Sequence, residues 1–270
     1  MGHMALLRNF SGIFLTRMDP DFCREYLDKL KRGVVDGKQF PFRYYSAWRA
    51  VKEKCFRADI SQMILKALEE CVDLSVQNLP RLRGRTMCLS DNSGSAWGGF
   101  TSEYGSVTVA VIDNLSSAIT AARSDEGDVG KFGSLLRVFP VREDDHMLEL
   151  CNVISKDKYN DVGGQTEGGI WEFFYQIIWK KEHWDNIFIY PDQQAGHGCL
   201  YGTDDQIALY QRLGYGCGQN DGYLDVYALV ELYRKTVNLR VNVFSVQTAG
   251  YTNAVMPEYA YRTCILWARS

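Results

Sequence analysis

From Thr86 onward the chain alternates short apolar runs with longer amphipathic ones, and this rhythm leaves few folds open. TMCLS (86–90), GSLLRVFPV (133–141), NIFIY (186–190), RVNVFSVQ (240–247) and TCILWA (263–268) read as strands. Between them VTVAVIDNLSSAITAA (107–122), MLELCNVISK (147–156), EGGIWEFFYQIIWKK (167–181) and YLDVYALVELYRKTV (223–237) carry helical periodicity. Strands that are apolar on both faces, each followed by a helix, predict a parallel sheet covered on both sides. The fold class is therefore α/β, a doubly wound, mostly parallel sheet.

The residues before this rhythm read as helices only. DPDFCREYLDKLKR (19–32) opens with an Asp-Pro start and spaces Phe22, Tyr26 and Leu30 along one face. FRYYSAWRAVKEKC (42–55) places Tyr44, Trp48 and Val51 in the same way. ISQMILKALEECVDLSVQNL (60–79) repeats Ile60, Ile64, Ala67, Leu68, Cys71 and Leu74 at helical spacing until Pro80, and RLRGR (81–85) reads as a short basic connector. The expected organisation is a helical segment over 5–83 and an α/β domain over 84–270, with MGHM (1–4) set aside as a cloning remnant.

Charge separates the same two parts. Residues 1–85 carry 16 Lys/Arg against 10 Asp/Glu, and the remainder 14 against 23, so a basic front adjoins an acidic back. No apolar run approaches the roughly 18 residues of a membrane span, and nothing at the start resembles a signal peptide. The eight cysteines contain no C-x-x-C pair, and most sit in apolar contexts. They read as buried thiols of a cytoplasmic protein, not as disulfides or a zinc site.

Chemistry gathers where strands end. In an open parallel sheet, ligands bind at the carboxyl ends of the strands, on the loops leading into helices. TMCLSDNSGSAWGG (86–99) ends a strand on Asp91-x-Ser93-x-Ser95, DVGGQT (161–166) brings Thr166 to the start of a helix, and IFIYPDQQ (187–194) puts Asp192 just past a strand. Each has an ordinary explanation as a turn residue or helix cap. Together they supply only hydroxyl and carboxylate oxygens, the donor set of Mg²⁺ or Mn²⁺, with positions left for water or an incoming acidic group. His197, on the glycine-rich AGHGC, has no partners at catalytic spacing and reads as structural or ligand-gating. YGTDDQ (201–206) and GYGCGQNDGY (214–223) read as mobile turns. Arg43, Arg49 and Lys52, interleaved with aromatics, are the residues that could contact RNA. No Walker-type phosphate loop occurs.

The order D-x-S-x-S, then a glycine-led Thr, then a strand-terminal Asp resembles the metal-ion-dependent adhesion site of von Willebrand factor A domains. ALLRNF (5–10), PFRYYSAWRAV (41–51), ALEECVDLSVQNLP (67–80), GRTMCLSDNSGSAWG (84–98), HWDNIFIYPDQQAGHGCLYG (183–202) and VFSVQTAGYT (243–252) are similar to Ro-type RNA-binding proteins, the TROVE-module family. The resemblance implies that Ser93 and Ser95 are direct metal ligands, that Thr166 is direct or water-linked, and that Asp91 and Asp192 act through water. It also implies RNA as a partner (small non-coding or misfolded RNA, through the fuller helical module) and a protein partner donating an acidic group to the metal. Two positions depart from the pattern. Gln165 stands where glycine is often seen, and Pro191 biases Tyr190 toward extended backbone. Only the last portion of the helical-repeat module is present and no helix follows ILWARS (265–270), so the chain reads as a piece of a longer protein or a reduced homologue.

The expected function is thus a non-enzymatic, Mg²⁺- or Mn²⁺-dependent binding domain of a Ro-like ribonucleoprotein. The rivals are a metal-dependent phosphoesterase using Asp91 and Asp192, which lacks a candidate general base, and a purely structural A domain that holds no metal.

Overall fold

The computed structural model describes residues 2–8, 19–54, 58–98, 107–165, 168–192, 204–214, 225–248, 257 and 259–267, and the chain divides into two compact units. The first comprises Met1–Arg81 with Asp144–Leu150, the second Leu82–Glu143 with Cys151–Ser270.

In the first unit five helices are described: α1 (His3–Arg8), α2 (Pro20–Arg32), α3 (Val34–Gly37), α4 (Pro41–Lys54) and α5 (Ala58–Val76). Helix α2 starts as its sequence predicts, with Asp19 accepting from the Phe22 N–H at 3.2 Å and proline in the first turn. Leu30, Tyr44, Ile64, Leu68 and Cys71 are fully buried and form the apolar interior of this unit. His3 and Met4, set aside above as a cloning remnant, belong to α1, and the His3 ring nitrogen bonds the Tyr44 hydroxyl at 2.6 Å. Asp73 receives the Met147 N–H at 3.0 Å and pairs with His146 at 2.7 Å, which caps the start of α8 (Met147–Ser155).

The second unit is built on a six-stranded sheet: β1 (Leu82–Asp91), β2 (Ser124–Phe132), β3 (Leu136–Val141), β4 (Asn186–Tyr190), β5 (Asn242–Gln247) and β6 (Thr263–Trp267), in the spatial order β3-β2-β1-β4-β5-β6. All pairings are parallel except β2 with β3. Helix α7 (Val109–Ala122) packs on β1 and β2. Met87, Leu89, Ile187, Ile189 and Val243 instead share a core with α9 (Gly168–Trp179), α10 (Asp204–Arg212) and α11 (Val226–Thr236). Phe173, Phe174 and Tyr233, from the helices, are almost fully buried, each removal from water contributing about 1.5–3 kcal/mol. This is the doubly wound, mostly parallel sheet of a von Willebrand factor A-like domain.

Four local expectations need correction. Strand β2, SDEGDVGKF, was not expected because charge and glycine mask it; pairing on both sides makes it a strand despite low β-propensity. Residues 133–135 turn the chain instead of beginning a strand, and so short a link forces β3 to run antiparallel. The RLRGR connector already lies in β1 from Leu82. Asp204–Gln206, read as part of a turn, open α10. Among the described residues no helix is long and apolar enough to cross a membrane. Cys23, Cys71, Cys88 and Cys151 are buried free thiols as expected, and Cys264 is an exposed one.

Candidate metal centre

The strand order reverses between β1 and β4, since the chain winds outward from β1 through β2 and β3 and then returns to β1's other side. Crevices for ligands form at such switch points. Register puts Ser90 beside Tyr190, so Asp91 and Asp192 emerge next to each other at the carboxyl edge of the two central strands.

Asp91 is fully buried and straps the two loops together. Its Oδ1 accepts from the Ser93 N–H at 2.8 Å, the turn that Asp-x-Ser favours, and its Oδ2 accepts from the Asp192 N–H at 2.9 Å. The short helix α6 (Gly94–Gly98) then turns Ser95 back toward the strand end. Ser93 Oγ and Ser95 Oγ lie 3.1 Å apart, and the Ser95 hydroxyl donates to Asp192 Oδ2. Two hydroxyls and two carboxylates are therefore in one hydrogen-bonded cluster. Burial, and after it the neighbouring Asp192 charge, pushes the Asp91 carboxyl up to about 8. Below β1's end, Asn114 accepts from Ser90 Oγ and Asn92 Nδ2, both at 2.7 Å, which fixes the entry to the loop.

Thr166 lies outside the described residues, but the loop leading to it is held against this cluster. The Gly94 N–H, between the two serines, donates to Gly164 O at 3.1 Å, and the Gln165 N–H donates to Ser134 Oγ at 3.2 Å. At the loop's start Asp161 accepts from the buried Lys131 ammonium at 2.6 Å and from Arg137 at 3.1 Å. Burial raises the Asp161 carboxyl, and the two cations outweigh it, so the net effect is a lowered pKa. The glycines of this region permit close approach: a Cβ on Gly133 would meet Gly163 O at 2.2 Å, and one on Gly169 would meet Leu135 O at 2.5 Å.

Sequence reasoning missed Asp113 and Thr248. Asp113, on α7, is fully buried; Thr248, immediately past β5, donates from its hydroxyl to Asp113 Oδ1 at 2.5 Å. Burial raises the Asp113 carboxyl well above the usual range, the Thr248 bond opposes this, and the charges of Asp91 and Asp192 add to the rise. The signal was present, because Asp113 sits in the stripe of Val109, Ala110 and Ser117 that faces the interior.

Among the described residues no group of three His, Cys, Asp or Glu side chains converges to hold a metal. The oxygens gathered here, two hydroxyls and two carboxylates, are the donor class of a hard cation, not the nitrogen and sulfur set of zinc. His197 lies outside the described residues. Arg43, Arg49 and Lys52 are all on α4, where Arg49 pairs with Glu53 at 2.9 Å and the Lys52 ammonium lies 4.6 Å from the centre of the Trp48 ring. Arg43 and Lys52 are separated by about two and a half helical turns, so they point to opposite sides of α4.

No protein-family model and no curated protein matches the sequence. Among solved structures the chain is similar to the Ro (RSR) protein of Deinococcus radiodurans, with a TM-score of 0.68 and 13% sequence identity, over 98% of this chain and 50% of that one. This chain thus spans half the length of that protein. The likeness is one of architecture, and it matches what the sequence motifs led us to expect: the chain has the fold of a Ro-type protein.

Proposed function

We propose that this chain is a non-enzymatic binding domain of a Ro-like, RNA-binding cytoplasmic protein, and that it binds partners through Mg²⁺ or Mn²⁺ at the β1/β4 crevice. The observation that carries this reading is the cluster of Asp91, Ser93, Ser95 and Asp192 at the sheet's switch point. Two buried carboxylates facing each other repel, and a divalent cation relieves that repulsion as well as a proton does. Ser93 and Ser95 would hold the cation directly, Thr166 directly or through water, and Asp91 and Asp192 through water. Such a set leaves the cation under-neutralised, so an acidic group of a protein partner completes its shell. RNA contact, assigned to the basic front segment of the sequence, residues 1–85, belongs to the same reading.

The test is thermal unfolding with and without metal. A ligand that binds only the native state adds RT ln(1 + [L]/Kd), about 2.7 kcal/mol at a hundredfold excess over Kd. Mg²⁺ or Mn²⁺ raises the melting temperature of the wild type, and the Ser93→Ala/Ser95→Ala pair loses most of that rise. Identical shifts in both proteins remove the site assignment. Partner capture that is lost with EDTA, restored by Mn²⁺ and sharply reduced by Thr166→Ala supports the binding role; capture that survives EDTA defeats it.

A further inference from the structure

We infer that Asp113 is a further, water-linked participant in the cation site, held in place by Thr248. The inference rests on the reading of the crevice as a cation site, and it adds a residue from outside the Asp-x-Ser-x-Ser, Thr and Asp pattern. Its basis is an unusual side chain. Asp113 is fully buried on α7, yet only one of its oxygens is used: Oδ1 accepts from Thr248, and Oδ2 is buried with no hydrogen-bond partner among the described residues. Among the described residues the charged groups that act on it are Asp91 and Asp192, both acidic. A carboxylate in that state is among the costliest arrangements in a protein interior. It is out of place as packing and well suited to a site where a cation and its waters arrive.

The topology supports the placement. α7 follows the β1 loop and begins at the same carboxyl edge, so its second turn, with Asp113, lies near the ends of the central strands. Thr248 follows β5, the strand beside β4, and so brings a third strand end to the site. Asp113 does not converge with Asp91 and Asp192 as a three-carboxylate ligand set. Its free Oδ2 therefore accepts from a water of the cation's shell, and Thr248 orients the carboxyl for that role, as second-shell partners orient metal sites generally. The ligand class is a partly hydrated hard divalent cation, Mg²⁺ or Mn²⁺.

Mn²⁺ binding, measured by electron paramagnetic resonance of the free ion, tests this in the whole chain. The proteins compared are the wild type, Asp113→Asn, Thr248→Val and Ser93→Ala/Ser95→Ala. Asp113→Asn keeps the shape and removes the charge, so Mn²⁺ affinity falls about 10–100-fold, the usual cost of a lost outer partner. The metal-free melting temperature stays level or rises, because burial already holds the metal-free carboxyl toward its neutral form, so the amide of the same shape removes no favourable charge. A merely structural Asp113 gives the opposite sign, a lower metal-free melting temperature, and that result overturns the inference. Thr248→Val weakens Mn²⁺ in the same direction and by less; it decides the matter should Asp113→Asn not fold. Wild-type affinity in Thr248→Val, or in Asp113→Asn, also overturns the role of Asp113, and if the serine pair still abolishes binding then the cation site itself stands. A wild type that binds no Mn²⁺ sinks both.

Discussion

The Lys131 side chain is 1% exposed and that of its partner Asp161 16%, so this ion pair is far from the usual surface arrangement. Taking an ammonium out of water is costly, and leaving it there alone is costlier. Asp161→Asn is therefore expected to destabilise the protein by about 3–5 kcal/mol, the range for breaking a buried pair. Arg137→Ala removes only the outer, 55% exposed partner and should cost about 0–1 kcal/mol. Urea unfolding of both variants measures the difference, and equal losses would show that the buried pair does not anchor the loop. The pH dependence follows from the lowered Asp161 pKa. A carboxyl depressed in the folded state stabilises the fold above its unfolded pKa, near 3.9, and that contribution is lost as pH falls through the lower folded value. Wild-type stability should thus show an acid-side loss below about pH 4 that Asp161→Asn lacks.

At the scale of elements, the loop before Thr166 is set by contacts that no local pattern announces. A Cβ at Gly133 would stand 2.2 Å from Gly163 O, backbone that cannot swing away, whereas at Gly164 nothing lies within 4 Å. Gly133→Ala should cost about 1–3 kcal/mol and blunt the Mn²⁺-induced rise in melting temperature, while Gly164→Ala leaves unfolding near wild type. Gly133→Ala with wild-type stability and metal response would show that the loop's position is not set there. The same contrast explains what could be read in advance. NIFIY was legible as β4 to the residue, because a run buried on both faces needs nothing but apolar side chains. Helix α2 was legible from its cap and periodicity, and α5 and α7 from periodicity. β2 was not, since its strand character comes from neighbours that lie elsewhere in the chain. In the candidate site, the grouping of Asp91, Ser93, Ser95 and Asp192 was legible because their spacing is local to two strand ends. Asp113 with Thr248, 135 residues apart, and Lys131 with Asp161, 30 apart, meet only through the fold.

For the whole molecule, the separation of charge argues for two kinds of contact. Residues 1–85 carry 16 Lys/Arg against 10 Asp/Glu and the rest 14 against 23, but the fold narrows the contrast. Arg83 and Arg85 lie in β1, and Asp144, Asp145 and Glu149 belong to the first compact unit, which therefore holds 14 Lys/Arg against 13 Asp/Glu, and the second 16 against 20. Phosphate is repelled less by the first unit than by the second, so the proposed RNA contact is placed on the first, where Arg43, Arg49 and Lys52 lie. Binding of single-stranded RNA by the chain should be weak, with log K falling linearly against log salt by about 0.7 for each phosphate neutralised. Arg43 and Lys52 are exposed on opposite sides of α4, so one helix face cannot present both to the same RNA strand. Of Arg43→Glu and Lys52→Glu, one is expected to weaken binding several-fold and flatten the salt slope, and the other to leave both nearly unchanged. Arg49→Glu has a small effect of its own, because Arg49 is already paired with Glu53. Asp192→Ala should leave RNA binding intact. Fluorescence anisotropy across a salt series reads all four variants; loss of RNA binding in Asp192→Ala, with the basic variants unaffected, would move RNA to the metal edge and overturn the division of roles between the two units.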